Sequence, residues 1–121
     1  MINYGKHFLD KRDILSVSKV LSSDWLTQGP NVKKFETALK KKFGANYCCA
    51  VANGTAALHL VGLALNWKPG DIVIGSSISF VASSNGVIYA GATPDFVDIE
   101  QSSYTIDVNK LEKKLKFYNK K

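Results

Sequence analysis

At 121 residues, with 45% hydrophobic and 21% charged positions, the chain has the composition of one globular domain with a modest core, which excludes a disordered polymer. Its formal net charge of +6 comes from lysine, with Arg12 the only arginine. The lysines gather at 40–42, 113–116 and 120–121, on expected helix faces and a chain end, which speaks for a solvated surface and against a nucleic-acid groove built on arginine forks. The surplus positive charge would still draw in an anionic substrate.

Asp10 is placed to cap a first helix, whose apolar positions Ile14, Val17 and Leu21 recur at helical spacing before Ser22 and Ser23 end it. The loop Asp24-Trp25-Leu26-Thr27-Gln28-Gly29-Pro30 follows. Two readings stand for its bulky side chains: anchoring of the loop on its own core, or the wall of a binding cleft or subunit contact. Pro30 suits the opening turn of a second helix in which Val32, Phe35, Leu39 and Phe43 form a core stripe, stopped by Gly44. Tyr47 to Ala52 reads as a strand; Cys48 and Cys49, adjacent and therefore on opposite faces, read as small core hydrophobes rather than a bridge or metal site. A helix from Thr55 to Leu65, a turn at Lys68-Pro69-Gly70-Asp71 and a second strand from Ile72 to Gly75 come next. A polar loop (Ser76 to Ser79), a helix from Phe80 to Ala90 ended by Gly91, and a third strand from Thr93 to Val97 repeat the alternation. Asp107 caps a last helix with Val108, Leu111 and Leu115 facing inward.

Strands alternating with helices predict an α/β domain: βαβ crossovers and a parallel sheet covered on both faces, hence three layers. Ligands of such sheets bind beyond the carboxyl ends of the strands, which places Asn53-Gly54-Thr55 and Ser76 to Phe80 on one rim. Three strands make a narrow sheet with open edges, so the domain reads as truncated. No apolar run reaches membrane-spanning length and the first residues lack a secretory profile, so no membrane partner and a cytoplasmic location are expected.

Asn53-Gly54-Thr55 has two readings, a strand-to-helix turn and a phosphate seat. In the second, the first amides of a helix and its positive dipole end hold an anion, Gly54 admits close approach, and the Thr55 hydroxyl adds a donor. Phe80 is either a packing residue or a platform for a flat ring, and a phosphorylated planar ligand such as pyridoxal phosphate suits both loops together. Ser83, Ser84 and Asn85 read as local hydrogen-bonding groups and His59 as a half-buried histidine, while His7 supports no assignment. Asp95, Asp98 and Glu100 read as solvated strand ends with no metal-ligand or paired-carboxylate spacing. No Gly-x-Gly-x-x-Gly follows the first strand, which disfavours a nicotinamide dehydrogenase.

Six segments carry a resemblance along essentially the whole chain. They are Tyr4-Gly5-Lys6, Asp24 to Val32, Asn53 to His59, Pro69-Gly70-Asp71, Ser79 to Asn85 and Tyr89 to Ile99. In these the chain resembles the pyridoxal-phosphate-dependent sugar aminotransferases of the DegT/DnrJ/EryC1/StrS type. Tyr4 with Asp24-Trp25-Leu26-Thr27 looks most like the branch that aminates C4 of a UDP-linked 4-keto-6-deoxy-N-acetylhexosamine on the pseudaminic acid route. The resemblance implies a partial transferase fold like the large domain of aspartate aminotransferase, with residues 1–44 a helical segment contributing to the substrate cleft and 45–121 the start of the cofactor-binding domain. It implies that Asn53, Gly54, Thr55 and Phe80 hold the cofactor and that Tyr4, Asp24, Trp25, Leu26, Thr27 and Asn53 line the substrate. Many relatives carry serine where Asn53 stands. A nucleotide sugar and an amino-acid donor, usually glutamate, are the implied ligands, and a homodimer the implied assembly of the complete protein. The family's Schiff-base lysine comes well beyond residue 121, and the lysines present sit on polar faces, turns or termini, not in the desolvated setting that such a residue needs. The chain is therefore expected to be the amino-terminal part of an aminotransferase, inactive without the rest. The alternative is a non-catalytic remnant or split-enzyme half acting as an interaction scaffold.

Overall fold

The computed structural model describes residues 5–119. In chain order it contains α1 (Lys11–Leu21), α2 (Pro30–Phe43), α3 (Gly54–Ala64), β1 (Ile72–Ser76), α4 (Ala82–Tyr89), β2 (Thr93–Val97) and α5 (Val108–Tyr118). These fall into two compact units, Met1–Ala50 and Val51–Lys121.

In the first unit, α1 opens on a reciprocal cap. The Asp10 carboxylate accepts from the Arg12 and Asp13 amides at 2.7 and 3.2 Å, and the Asp13 carboxylate accepts from the Asp10 amide at 2.8 Å. The Arg12 guanidinium, 2.7 Å away, is the main reason that the Asp10 carboxyl titrates below the usual range. Asp10→Ala is expected to destabilise α1, read as a lower helical signal in circular dichroism; an unchanged melting curve would mean that the cap does not hold α1. Pro30 occupies the first turn of α2, and Gly44, with φ of 64°, closes it in the left-handed region. The apolar stripes are not core. Ile14, Val17 and Leu21 on α1 and Val32, Phe35 and Phe43 on α2 are all exposed, Phe43 at 73%. A helical stripe becomes core only when another element lies across it, and α1 and α2 do not pack extensively on each other.

The strand expected from Tyr47 to Ala52 also does not form. This stretch has no ladder partner among the described residues, and its Ala50 amide is taken instead by the Glu36 carboxylate of α2 at 3.0 Å. An apolar extended segment is a strand only where a neighbour supplies the ladder. Cys48 is half-buried and Cys49 exposed; both are free thiols, so the core reading fails for Cys49.

The second unit is a βαβ arrangement. β1 and β2 pair in parallel, from Ile72 opposite Thr93 to Ser76 opposite Val97, giving a two-stranded sheet where three strands were expected. The turn before β1 is tied twice between Lys68 and Asp71, both bonds at 3.0 Å, with Gly70 at φ +97°. α4 starts at Ala82, two residues later than the pattern suggested, which leaves Phe80 in the loop. The buried hydrophobic core is small: Ala82, Val87, Ala90, Ala92 and Val97. α3 meets α4 through glycines. A methyl group on Gly62 would stand 2.6 Å from the Trp67 ring and 2.8 Å from Ala90 Cβ, and one on Gly86 would stand 3.1 Å from Leu58 Cβ.

Asp107 caps α5 as expected, accepting from the Asn109 and Lys110 amides. What docks this helix is polar rather than apolar: Val108 is 70% exposed and Leu115 exposed as well, with Leu111 half-buried. The Lys114 ammonium donates to Asp95 Oδ1 at 2.6 Å and to the Phe96 carbonyl, and the Tyr118 hydroxyl donates to Asp95 Oδ2 at 2.6 Å. Asp95 is thus an anchor, not a solvated strand end. Asp98 accepts from Ser77 and Lys110, and Glu100 binds the Ser102 hydroxyl and amide and the Ser103 amide, which hold its carboxyl down at about 2. No helix among the described residues is long and apolar enough to cross a membrane.

Candidate functional site

The second unit brings two loops to one cavity. At the first, Asn53 is extended backbone (φ −163°) and its side-chain oxygen accepts from the Ala56 amide at 2.9 Å, capping α3. That cap serves the third amide of the helix. The amides of Gly54 and Thr55 before it have no acceptor among the described residues, nor does the Thr55 hydroxyl have a partner there. Nothing lies within 4 Å of where a Gly54 side chain would begin, so the space beside the helix start is open. The site therefore combines two unused donors, a hydroxyl and the positive end of an eleven-residue helix.

At the second loop, past the carboxyl end of β1, the Ser77 amide bonds to the Val97 carbonyl at 2.9 Å and the Ser76 hydroxyl accepts from the Ile78 amide at 3.3 Å. The first bond extends the pairing with β2 one residue past β1, the second turns the chain locally, and Phe80 beyond them is 74% exposed. Asn53, Gly54, Thr55 and Phe80 line one cavity of about 620 Å³, together with Ala57, Leu58 and Val61 of α3 and Ala82 of α4. No lysine lines it. Phe80 also lines a second cavity of about 290 Å³ that runs along α4 past Ser83 and Ser84 to Asp95. Those serines bond locally, Ser83 with Ser79 at 3.0 Å and Ser84 to the Val81 carbonyl at 3.2 Å. His59, on α3, is half-buried and meets the Tyr89 ring edge-on, centroids 5.7 Å apart.

The lining residues Ala57, Leu58 and Val61 were not singled out from sequence, although their spacing from Gly54 puts them on one face of α3. In the first unit, Asp24 and Trp25 line a separate cavity of about 450 Å³, while Leu26 and Thr27 are exposed outside its lining. Tyr4 lies outside the described residues.

Residues 8–120 match the DegT/DnrJ/EryC1/StrS aminotransferase family. The chain belongs to this family. It is 40% identical over 109 residues to the spore coat polysaccharide biosynthesis protein SpsC of Bacillus subtilis, covering 90% of this chain and 28% of that protein. It is 37% identical to the UDP-4-amino-4,6-dideoxy-N-acetyl-beta-L-altrosamine transaminase of Campylobacter jejuni, covering 95% and 30% of the two. A Streptococcus pneumoniae structure described as a sugar aminotransferase, solved in PLP, PMP and apo forms, superposes with a TM-score of 0.84 at 31% identity, over 93% of this chain and 29% of that one. The chain thus spans less than a third of the length of the relatives it matches. The fold is that of the pyridoxal-phosphate-dependent sugar aminotransferases, and the family works with that cofactor. The chain's own residues fit the group: unused amides and a hydroxyl suit its phosphate, and an exposed aromatic face on the same cavity suits its ring.

Proposed function

We propose that the chain supplies the cofactor-phosphate seat and ring platform of a nucleotide-sugar aminotransferase, which moves an amino group from glutamate to C4 of a UDP-linked 4-keto-6-deoxy-N-acetylhexosamine for surface polysaccharide synthesis on the pseudaminic acid route. The observation that supports this most is the shared cavity of Gly54, Thr55 and Phe80. Pyridoxal phosphate, when bound, supplies the electron sink through which nitrogen passes between an amino acid and a keto sugar. The Gly54 and Thr55 amides bind its phosphate, and the Thr55 hydroxyl adds a third donor. Phe80 fixes the plane of the ring, which selects the bond that is weakened. Asn53, its oxygen engaged in the cap, offers its amide hydrogens to cofactor or substrate. Tyr4, Asp24, Trp25, Leu26 and Thr27 contact the sugar nucleotide. The lysine that carries the cofactor comes from outside this cavity's lining, in an assembly that is a cytoplasmic homodimer.

The test is a phosphorus NMR titration of pyridoxal phosphate into the 121-residue chain. Gly54→Asp sets a carboxylate against the phosphate while favouring the helix start, so it is expected to weaken binding by roughly tenfold or more with the fold intact. Phe80→Ala is expected to abolish the induced circular dichroism of the cofactor. No binding by the parent chain, or equal binding by both variants, would remove the proposal. The exposed stripes of α1 and α2 favour a second reading, a split-enzyme half that works by docking a partner chain. Mass measurement separates the two: a stable monomer that binds cofactor stoichiometrically goes against the docking role.

A further inference from the structure

The two edges of the sheet in the second unit are finished differently. The Thr93 amide donates to the Asp71 carbonyl at 3.0 Å and the Ser77 amide to the Val97 carbonyl at 2.9 Å. Successive residues of a strand turn their backbone groups to opposite sides, so these two bonds and the parallel register fix the whole pattern. Val73 and Gly75 of β1 face β2. Ile72, Ile74 and Ser76 turn their amides and carbonyls to the other side, where no further strand lies among the described residues. On β2 the outward positions are Pro94 and Phe96. Pro94 has no amide hydrogen, the Phe96 amide is taken by Asp95 Oδ1 at 2.7 Å, and the Phe96 carbonyl accepts from the Lys114 ammonium of α5. The outer edge of β2 is thus closed to another strand, while that of β1 is open.

We infer that the open edge of β1 is a pairing surface for a second copy of this chain, β1 lying antiparallel to β1 of its partner about a two-fold axis at Ile74. The edge is self-complementary. With Ile74 opposite its own copy, Ile72 falls opposite Ser76 and Ser76 opposite Ile72, so each of these residues exchanges both its amide and its carbonyl across the axis. The edge is also uncharged: no Asp, Glu, Lys, Arg or His occurs between Asp71 and Asp95, and the register sets Asp71 across from Ser77 rather than from another carboxylate. Two chains of net charge +6 therefore meet there without like charges opposed. Ile72, Val73 and Ile74 are β-branched, which suits a strand inside a sheet. Association stops at two copies, because pairing consumes both β1 edges and leaves the closed edges of β2 on the outside. The lining of the cofactor cavity contains no β1 residue, so this surface stands apart from the cofactor reading.

Mass measurement and amide hydrogen exchange by NMR, both over a range of concentrations of the 121-residue chain, test it. A dimer is expected to form as concentration rises, with exchange at Ile72, Ile74 and Ser76 slowing by roughly tenfold or more, while Val73 and Gly75, already bonded to β2, are slow throughout. Ile74→Pro removes an outward amide and leaves the ladder to β2 intact, so it is expected to weaken association by roughly tenfold or more with Val73 and Gly75 still slow. Ile72→Lys sets a charge on the edge without altering the backbone and is expected to act in the same direction, so the test holds even where proline unfolds β1. A chain that keeps a mass of 13.3 kDa at every concentration overturns the pairing. So does a dimer whose Ile72, Ile74 and Ser76 amides exchange as fast as in the dilute chain, which would place the contact on the exposed stripes of α1 or α2. Growth beyond two copies, or equal association by the parent and Ile72→Lys, overturns it as well.

Discussion

Gly62→Ala is expected to lower the unfolding free energy by about 1–3 kcal/mol, although alanine by itself favours a helix by about 1 kcal/mol. The added methyl meets Trp67 at 2.6 Å and Ala90 Cβ at 2.8 Å. The Trp67 ring is bulky and Ala90 Cβ moves only with its backbone, so α3 must slide away from α4. In a domain of about 100 residues each kcal/mol lowers the melting temperature by about 4–8 °C. Gly75→Ala, where nothing lies within 4 Å, is the matched control and should melt near the parent. The two helices carry Leu58, Val61 and Ala82 in the lining of the cofactor cavity, so cofactor affinity should fall with stability. Equal melting temperatures for the parent and Gly62→Ala would show that the helix contact is not tight.

Asp95→Asn is expected to release α5 from the sheet. The Lys114 ammonium first, and the Tyr118 hydroxyl second, hold the Asp95 carboxyl at about 2, below its ordinary 3.8. A group that binds its proton less tightly folded than unfolded adds stability that is complete above the ordinary value and is lost as pH falls from there through about 2. Urea melts of the parent should therefore weaken between about pH 4 and pH 2, and the variant should lose less over that window. Glu100 titrates in the same window, so the variant retains the part that Glu100 contributes. At neutral pH the variant is expected to be less stable by about 1–3 kcal/mol, since it leaves Lys114 without its counter-charge. Parallel pH profiles for the two proteins would deny Asp95 the anchoring role.

The features that sequence disclosed are those decided within a few residues. Asp10 and Asp107 cap, Pro30 opens, and Gly44, Gly70 and Gly91 adopt positive φ, because each acts on its own turn. Asn53 to Thr55 and Phe80 do line one cavity, although only Phe80 follows a strand, so their meeting comes from the packing of α3 on α4 and not from adjacent strand ends. Burial was not legible. The stripe of Val32, Phe35 and Phe43 has perfect helical spacing and stays exposed, because periodicity reports a face and not what covers it. The strand expected over Tyr47 to Ala52 failed for the same reason, its ladder depending on a distant neighbour. Nor could spacing show that Asp95 would meet Lys114, 19 positions on.

Among the described residues the fully buried apolar side chains are three alanines and two valines, which has a calorimetric consequence. The heat capacity increment of unfolding follows the apolar area released to water, and so does the steepness of a denaturant melt. With so little released, heat absorption on melting should be modest and the transition broad. The free energy should also vary gently with temperature, without the sharp curvature of a densely filled domain.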